Sequence, residues 1–143
     1  MELDTALAFA ADHRHAVLLT LRRDGRPQSS NITYAMGDAT DGPVAMISVT
    51  DDRAKTRNLR RDPRASLHIS AADFYSYAVL EGTASLSPVA EEPGDETCRR
   101  LAEVYVAATG EQHPDWDEFY AAMVADRRLV ISIRPERAYG MLR

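Results

Sequence analysis

The residues of this chain that could bind or transform a ligand are concentrated in one short cationic segment, residues 53–64. Six of the 17 Lys and Arg residues lie in it, against a single acidic residue, Asp62. The chain as a whole carries a formal charge of −5, so the segment is a compact positive element on an acidic body. Such an arrangement favours a small anionic ligand over nucleic acid, because a long polyanion is bound through many dispersed basic residues.

Lys55 is the only lysine of the chain. On a helix, at 100° per residue, Lys55 and Leu59 share a side, and Leu59 is the only large apolar residue there. That side should therefore pack inward and carry Lys55 with it. A partly buried ammonium is costly without a partner, and a compact charge with three donors suits phosphate. The same geometry also allows a lysine that extends past Leu59 to solvent or that pairs with an acid of the chain.

We predict no metal site and no catalytic side chain elsewhere. The four histidines, His13, His15, His68 and His113, lack the spacing of a metal site and are interpreted as structural. Cys98 is the only cysteine, which excludes an internal disulfide and a thiolate cluster. The chain contains neither the glycine fingerprint of a dinucleotide-binding fold nor that of a phosphate-binding loop.

Tyr75 and Tyr77 are two residues apart at the start of a predicted strand, so their side chains share one face. Two aromatic rings on one face could stack on a flat ligand. Aromatic pairs at this spacing also occur in cores and in dimer contacts.

The elements that must position these residues are short strands with few helices between them. Helices are predicted over residues 3–12, 92–107 and 115–125, and between a cap at Asp51 or Asp52 and the end at Pro63. Strands are predicted over residues 16–21, 28–36, 44–49, 65–71, 77–86, 129–133 and 138–142. Strands at hairpin spacing without regular βα alternation indicate a mainly β fold, an antiparallel sheet closed into a small barrel with flanking helices.

Length and composition favour a single domain spanning residues 1–143. A chain of 143 residues with 45% hydrophobic and 27% charged residues is an ordinary globular mixture with one core. No apolar run approaches the roughly 18 residues of a membrane-spanning helix, and the acidic start is unlike a secretory signal. We therefore expect a cytoplasmic protein without a membrane partner.

Three stretches of the sequence resemble the pyridoxamine 5′-phosphate oxidase-like split-barrel flavoproteins. They are residues 24–31 (Asp-Gly-Arg-Pro-Gln-Ser-Ser-Asn), residues 53–64 (Arg-Ala-Lys-Thr-Arg-Asn-Leu-Arg-Arg-Asp-Pro-Arg) and residues 75–82 (Tyr-Ser-Tyr-Ala-Val-Leu-Glu-Gly). The second stretch is the most specific, and the similarity covers nearly the whole chain. The branch it resembles most is the actinobacterial one that uses the deazaflavin coenzyme F-420.

The resemblance implies an FMN-binding split barrel of six strands that forms a homodimer with two cofactor sites at the subunit interface. It implies phosphate contacts from Arg53, Lys55 and Thr56, and an aromatic position near the cofactor at Tyr77. Positions lining the ring system would be Gln28, Asn31 and Ser48. The coenzyme's acidic tail would have a destination in the outer arginines of the cationic segment, Arg57, Arg60 and Arg61.

The function that the resemblance implies is that of an oxidoreductase. It would transfer hydride from reduced coenzyme F-420 to a small conjugated substrate of the quinone, bilin or enone type, with the cofactor doing the chemistry and the protein positioning it. Two alternatives stay open. The same pocket would serve an FMN-dependent oxidase or reductase, and a non-catalytic carrier of a flavin, deazaflavin or tetrapyrrole would need similar residues.

Overall fold

The structure, a computed structural model, describes residues 1–143 as four helices and seven strands. In chain order the elements are α1 (Leu3–Ala11), β1 (His15–Leu21), β2 (Pro27–Thr33), β3 (Ala35–Ala39), β4 (Gly42–Thr50), α2 (Ala54–Arg61), β5 (Arg64–Ser70), β6 (Tyr77–Leu86), α3 (Glu96–Thr109), α4 (Trp116–Ala125) and β7 (Arg128–Met141).

All seven strands form one antiparallel sheet in the order β2-β1-β5-β6-β7-β4-β3. The two edge strands, β2 and β3, are consecutive in the chain and are separated by one residue, Tyr34. The sheet must therefore curve until its edges meet at Tyr34. This residue is fully buried, and its hydroxyl donates a hydrogen bond of 2.6 Å to the Ala10 carbonyl of α1. The predicted mainly β barrel with flanking helices is confirmed as a split barrel whose seam lies at Tyr34.

Two predicted strand boundaries are wrong, for opposite reasons. The predicted strand over residues 28–36 is two strands, because the chain leaves one edge of the barrel and joins the other at Tyr34. This break accounts for seven strands where the resemblance implies six. The predicted strands over 129–133 and 138–142 are instead the single strand β7.

A bulge lets β7 continue through Pro135. Glu81 pairs with Arg137 and Gly82 with Pro135, which leaves Glu136 as the extra residue. Pro135 lacks an N–H, but pairing of β7 with β4 ends at Ile133, so no hydrogen bond on that side is lost. Gly82 is required here because a Cβ would lie 2.0 Å from the Arg134 carbonyl oxygen.

The cap predicted for α2 is also wrong. Arg53 occupies the N-cap position without a side-chain hydrogen bond. Asp51 instead forms salt bridges with Arg60 and Arg127, at 2.6 and 3.2 Å, and Asp52 accepts a hydrogen bond from the Thr50 hydroxyl. The two aspartates therefore anchor arginines and the turn before α2 rather than the first turn of the helix.

The hydrophobic core has two parts. The main cluster fills the barrel and includes the fully buried Leu18, Leu67 and Ile131 as well as Leu59 of α2. The second lies outside the barrel, where α3 and α4 pack on β7, and consists of Ala90, Cys98, Leu101, Val104, Phe119 and Val130. The two helices therefore pack on the outside of the barrel through a small hydrophobic core of their own. No helix of the structure has the length and apolar character needed to cross a membrane.

Asp95 caps α3, and this explains why the helix begins at Glu96 rather than at the predicted residue 92. Its carboxylate accepts backbone hydrogen bonds from Cys98, Glu91 and Glu92. Burial opposes ionisation of this group, but the three N–H donors outweigh it and lower the pKa to about 2.

We expect Asp95→Ala to reduce the free energy of unfolding at neutral pH by about 1 kcal/mol, the usual contribution of an N-cap. Because the folded pKa lies below the ordinary value of 3.8, this contribution is complete above roughly pH 5 and declines as the pH falls toward 2. Urea unfolding of both proteins at neutral pH and near pH 3 measures it. A difference that grows on acidification would contradict the assignment.

Candidate functional site

The main cavity of the molecule, about 610 Å³, lies between the barrel and the pair of helices α3 and α4. Its polar end contains Asn31, Ser48, Lys55, Asp126 and Arg128. The rest of its wall is mainly apolar and aromatic, with Leu101, Val104, Tyr105, Phe119 and Met123 prominent. This size and this combination of an apolar wall with a few polar groups are typical of small-molecule sites.

Lys55 lies half-buried at the polar end of this cavity, on the same side of α2 as Leu59, which is 2% exposed. It forms no salt bridge with any carboxylate of the chain. Burial lowers the pKa of Lys55, and the positive charges of Arg53 and Arg128 lower it further. The ammonium is therefore neither free in bulk solvent nor neutralised internally. An anion bound beside Lys55 would offset both the cost of burying its charge and the repulsion from the two arginines.

Arg128 completes the cationic end of the cavity, and sequence analysis did not identify it as a site residue. Its guanidinium donates a hydrogen bond of 3.1 Å to the Ser48 hydroxyl and lies 3.7 Å from the Asp126 carboxylate. Arg128 is brought to Lys55 by the pairing of β7 with β4, in which it lies opposite Thr50, just before α2. The one local sign in the sequence is the Asp126-Arg127-Arg128 run, directly before the strand predicted over residues 129–133.

Arg53 lies beside this end, in an adjoining recess of about 580 Å³ that also contains Arg127 and Arg128. Its side chain is exposed, and its charge acts on Lys55. Lys55, Arg53 and Arg128 therefore form one group, which we call the cationic cluster. Asp51, on the rim of the same recess, is already engaged by Arg60 and Arg127, whose hydrogen bonds lower the pKa of its carboxyl.

The structure brings only some of the eight predicted site residues to this cavity. Asn31, Ser48 and Lys55 line it, and Arg53 lies in the adjoining recess. Thr56 is fully buried, and its hydroxyl donates to the Thr50 carbonyl at 2.9 Å. The hydroxyl that the resemblance assigns to phosphate thus ties the start of α2 to the end of β4.

Gln28 and Tyr77 also lie outside the cavity wall. The Gln28 amide accepts from the Thr20 hydroxyl and donates to that of Ser30. The Tyr77 ring stacks on His68 with centroids 5.1 Å apart. His68 lines a separate cavity of about 480 Å³ on the other side of β2, and the Asn31–Thr33 segment lines both spaces.

The outer arginines of α2 are exposed and engaged with their own chain. Arg57 donates to the Asp52 carbonyl, Arg60 forms the salt bridge with Asp51, and Arg61 donates to the Leu21 carbonyl. These contacts hold α2 against the barrel, and none of the three residues lines the main cavity.

An aromatic wall stands opposite the barrel, on α3, α4 and the loop between them. The rings of Tyr105, His113, Trp116 and Phe119 contact one another with centroids 5.2 to 6.0 Å apart. His113, interpreted from the sequence as an isolated structural residue, lines the cavity together with Tyr105 and Phe119. Sequence spacing gave no sign of this, because the contacts arise only when α4 folds back on α3.

Comparison with solved structures finds the same fold in proteins of different kinds. A conserved hypothetical protein from Mycobacterium tuberculosis is 23% identical with a TM-score of 0.73, over 98% of this chain and 84% of that one. An F-420 reductase is 24% identical with a TM-score of 0.57, over 88% and 89%. The heme storage protein HutZ from Vibrio cholerae is 17% identical with a TM-score of 0.64, over 98% and 95%.

The sequence model of the family described as pyridoxamine 5′-phosphate oxidase matches residues 3–142. That match includes every strand of the barrel, the cationic segment and both helices of the cavity wall. The observed split barrel agrees with it. The chain therefore belongs to the pyridoxamine 5′-phosphate oxidase family.

Proposed function

We propose that this protein is an oxidoreductase that binds coenzyme F-420 and reduces a small conjugated substrate of the quinone, bilin or enone type. The observation that carries the proposal is the cationic cluster, in which a half-buried Lys55 without a carboxylate partner lies at the polar end of a cavity whose remaining wall is mainly apolar and aromatic. The resemblance of residues 53–64 to the deazaflavin branch and the structural similarity to an F-420 reductase support the choice of cofactor.

The cationic cluster fits the phosphodiester of such a cofactor. Each charge-assisted hydrogen bond contributes about 1.5–3 kcal/mol before ordering costs, and micromolar affinity requires roughly 8 kcal/mol. Bonds from Lys55 and Arg128, together with burial of a ring system, would reach that value. Lys55 and Arg128 would hold the phosphate, and Asn31 and Ser48 would orient the ring.

When bound, the reduced coenzyme supplies the hydride, and the protein supplies position and electrostatics. Ser48 is held by its bond from Arg128 at 3.1 Å, so its hydroxyl is oriented before any ligand arrives. Leu101, Val104 and Met123 line the same cavity and would give a bound ring an apolar wall. No side chain is assigned as a general acid in this proposal.

We expect the purified protein to be colourless and to quench the fluorescence of oxidised coenzyme F-420 with a micromolar dissociation constant. FMN, whose phosphate would meet the same cations, should bind at least tenfold more weakly. Reduced coenzyme should then be oxidised in the presence of a quinone or an enone. A yellow preparation that retains FMN would contradict the choice of cofactor, and binding without oxidation of the coenzyme across quinones, bilins and enones would indicate a carrier.

We further propose the homodimer that the family resemblance implies. An exposed apolar patch supports it, formed by Phe74 (75% exposed) and Tyr75 (63% exposed) together with Tyr139, Met141 and Leu142 near the end of β7. Patches of large apolar side chains on a soluble domain commonly mark interfaces. Light scattering should give twice the chain mass of 15.9 kDa, and Phe74→Ser with Tyr75→Ser should shift the species toward the monomer. A monomer in the unmodified protein would contradict the proposal.

A further inference from the structure

The main cavity extends well beyond the cationic cluster, along one face of each outer helix. On α4 the cavity is lined by Phe119, Ala122 and Met123, and Asp126, directly after the helix, continues the i, i+3, i+4, i+7 spacing. The lining residues on α3 follow the same period from Leu101 to Thr109. At about 1.5 Å per residue, Phe119 and Asp126 are about 10 Å apart along α4. The cavity therefore has a second end that the cationic cluster does not reach.

His113 lies at this second end, and its imidazole has one committed nitrogen and one free nitrogen. Nδ1 accepts a hydrogen bond of 3.0 Å from the backbone N–H of Asp115. Asp115 is itself fixed, because its carboxylate caps α4 by accepting from the Glu118 N–H at 3.1 Å. An imidazole that accepts at Nδ1 carries its hydrogen on Nε2. Nε2 has no hydrogen-bond partner within the chain, and His113 lines the cavity, so this nitrogen is free to donate to a ligand bound there.

The surroundings of that donor define the ligand. The His113 ring lies 5.3 Å from Tyr105 and 5.4 Å from Phe119, centroid to centroid, and both of these rings line the cavity. Aromatic walls favour a flat, conjugated ring system. Glu118 also lines this end. Its negative carboxylate would repel an anionic group of the ligand there. The acceptor should therefore be a neutral oxygen.

We propose that His113 binds the substrate, donating a hydrogen bond from Nε2 to the carbonyl oxygen of a planar conjugated compound packed against Tyr105 and Phe119. This inference rests on the proposed function in one respect: the ligand bound beside His113 is taken to be the substrate of the oxidoreductase. It goes further in naming the residue that binds the substrate carbonyl and in requiring that the group bound there be neutral.

The test compares two probes of the same shape that differ in the acceptor. Coumarin has two fused rings and a conjugated carbonyl, and naphthalene has two fused rings and no oxygen. Both are titrated into ¹⁵N-labelled protein without cofactor, and affinities are taken from NMR shifts of α3 and α4 amides. We expect coumarin to bind more tightly than naphthalene and to shift the His113 Nε2 resonance.

Variants at His113 separate the hydrogen bond from ring packing. His113→Phe keeps an aromatic ring without a donor and should weaken coumarin binding fivefold to tenfold, as expected for one neutral hydrogen bond, while naphthalene changes less than twofold. His113→Gln places an amide donor near the Nε2 position and should retain coumarin binding within about threefold. His15→Phe, at the separate cavity beyond β2, is the matched control and should change neither affinity.

Three results would overturn the proposal. They are an unchanged coumarin affinity in His113→Phe, a loss of coumarin preference in Tyr105→Phe instead, and coumarin shifts confined to the cavity beyond β2. Should His113→Phe fail to fold, the Nε2 resonance of the unmodified protein still decides the question, since an unmoved resonance at saturating coumarin excludes the bond. A protein that binds coumarin as expected but not coenzyme F-420 would contradict the proposed function and leave the His113 site intact.

Discussion

Replacing Lys55 by methionine is expected to weaken the binding of coenzyme F-420 by roughly 10- to 100-fold, because one charge-assisted hydrogen bond contributes about 1.5–3 kcal/mol. Methionine keeps most of the aliphatic stem beside Leu59 and removes only the ammonium. Burial and two neighbouring arginines lower the pKa of Lys55, which means that the charged amine is less stable in the folded protein than in the unfolded chain. The variant should therefore be at least as stable as the unmodified chain while binding the cofactor far more weakly.

The measurement is a fluorescence titration with the oxidised coenzyme, paired with urea unfolding of the free proteins. Arg99→Ala is the control, since Arg99 is an exposed cation of α3 that does not line the cavity. It removes the same formal charge and should change the affinity less than twofold. Equal losses in the two variants would mean that general electrostatic attraction, and not a phosphate contact at Lys55, accounts for binding.

Leu59→Ala is expected to lower the free energy of unfolding by about 2–5 kcal/mol, the range for large-to-small substitutions in a core. Leu59 is 2% exposed and is the residue by which α2 joins the cluster inside the barrel. Polar contacts also hold α2, among them the Asn58 amide, which donates to the Thr20 hydroxyl at 3.1 Å. Removing the leucine leaves a cavity directly beneath the turn that carries Lys55.

Urea unfolding measures this loss, and Leu142→Ala serves as the comparison because Leu142 is 41% exposed and should change stability by less than about 0.5 kcal/mol. Cofactor affinity of the folded Leu59→Ala protein should also fall, by a smaller factor than in Lys55→Met. Full retention of stability would show that α2 is held by its arginine contacts rather than by its apolar side.

The inward position of Lys55 could be predicted from the sequence because a single apolar residue, Leu59, fixes the orientation of an eight-residue helix. The barrel could be predicted because its strands are short and separated by turn residues. Tyr34 could not be identified as the seam: an apolar residue within an alternating run gives no sign that the chain changes sheet edges there. Pro135 was misleading, since proline usually interrupts a strand, and only the end of pairing with β4 makes it acceptable.

The residues of the candidate site also divide into those that the sequence could predict and those that it could not. Lys55 and Arg53 belong to one local segment, so spacing could place them together. Arg128 and His113 reach the cavity through strand pairing and helix packing between distant parts of the chain, which one sequence does not encode in any local pattern. The family resemblance implies that Thr56, near the start of α2, contacts phosphate. In the structure its hydroxyl donates a hydrogen bond to the Thr50 carbonyl instead.

A crystal structure of the protein with oxidised coenzyme F-420 tests the claim that Lys55 and Arg128 hold the phosphate of the cofactor. We predict a phosphate oxygen within about 3 Å of the Lys55 Nζ and a second contact from the Arg128 guanidinium. A phosphate bound in the cavity beyond β2, or on the outer arginines of α2 with Lys55 left without an anion, would contradict the claim.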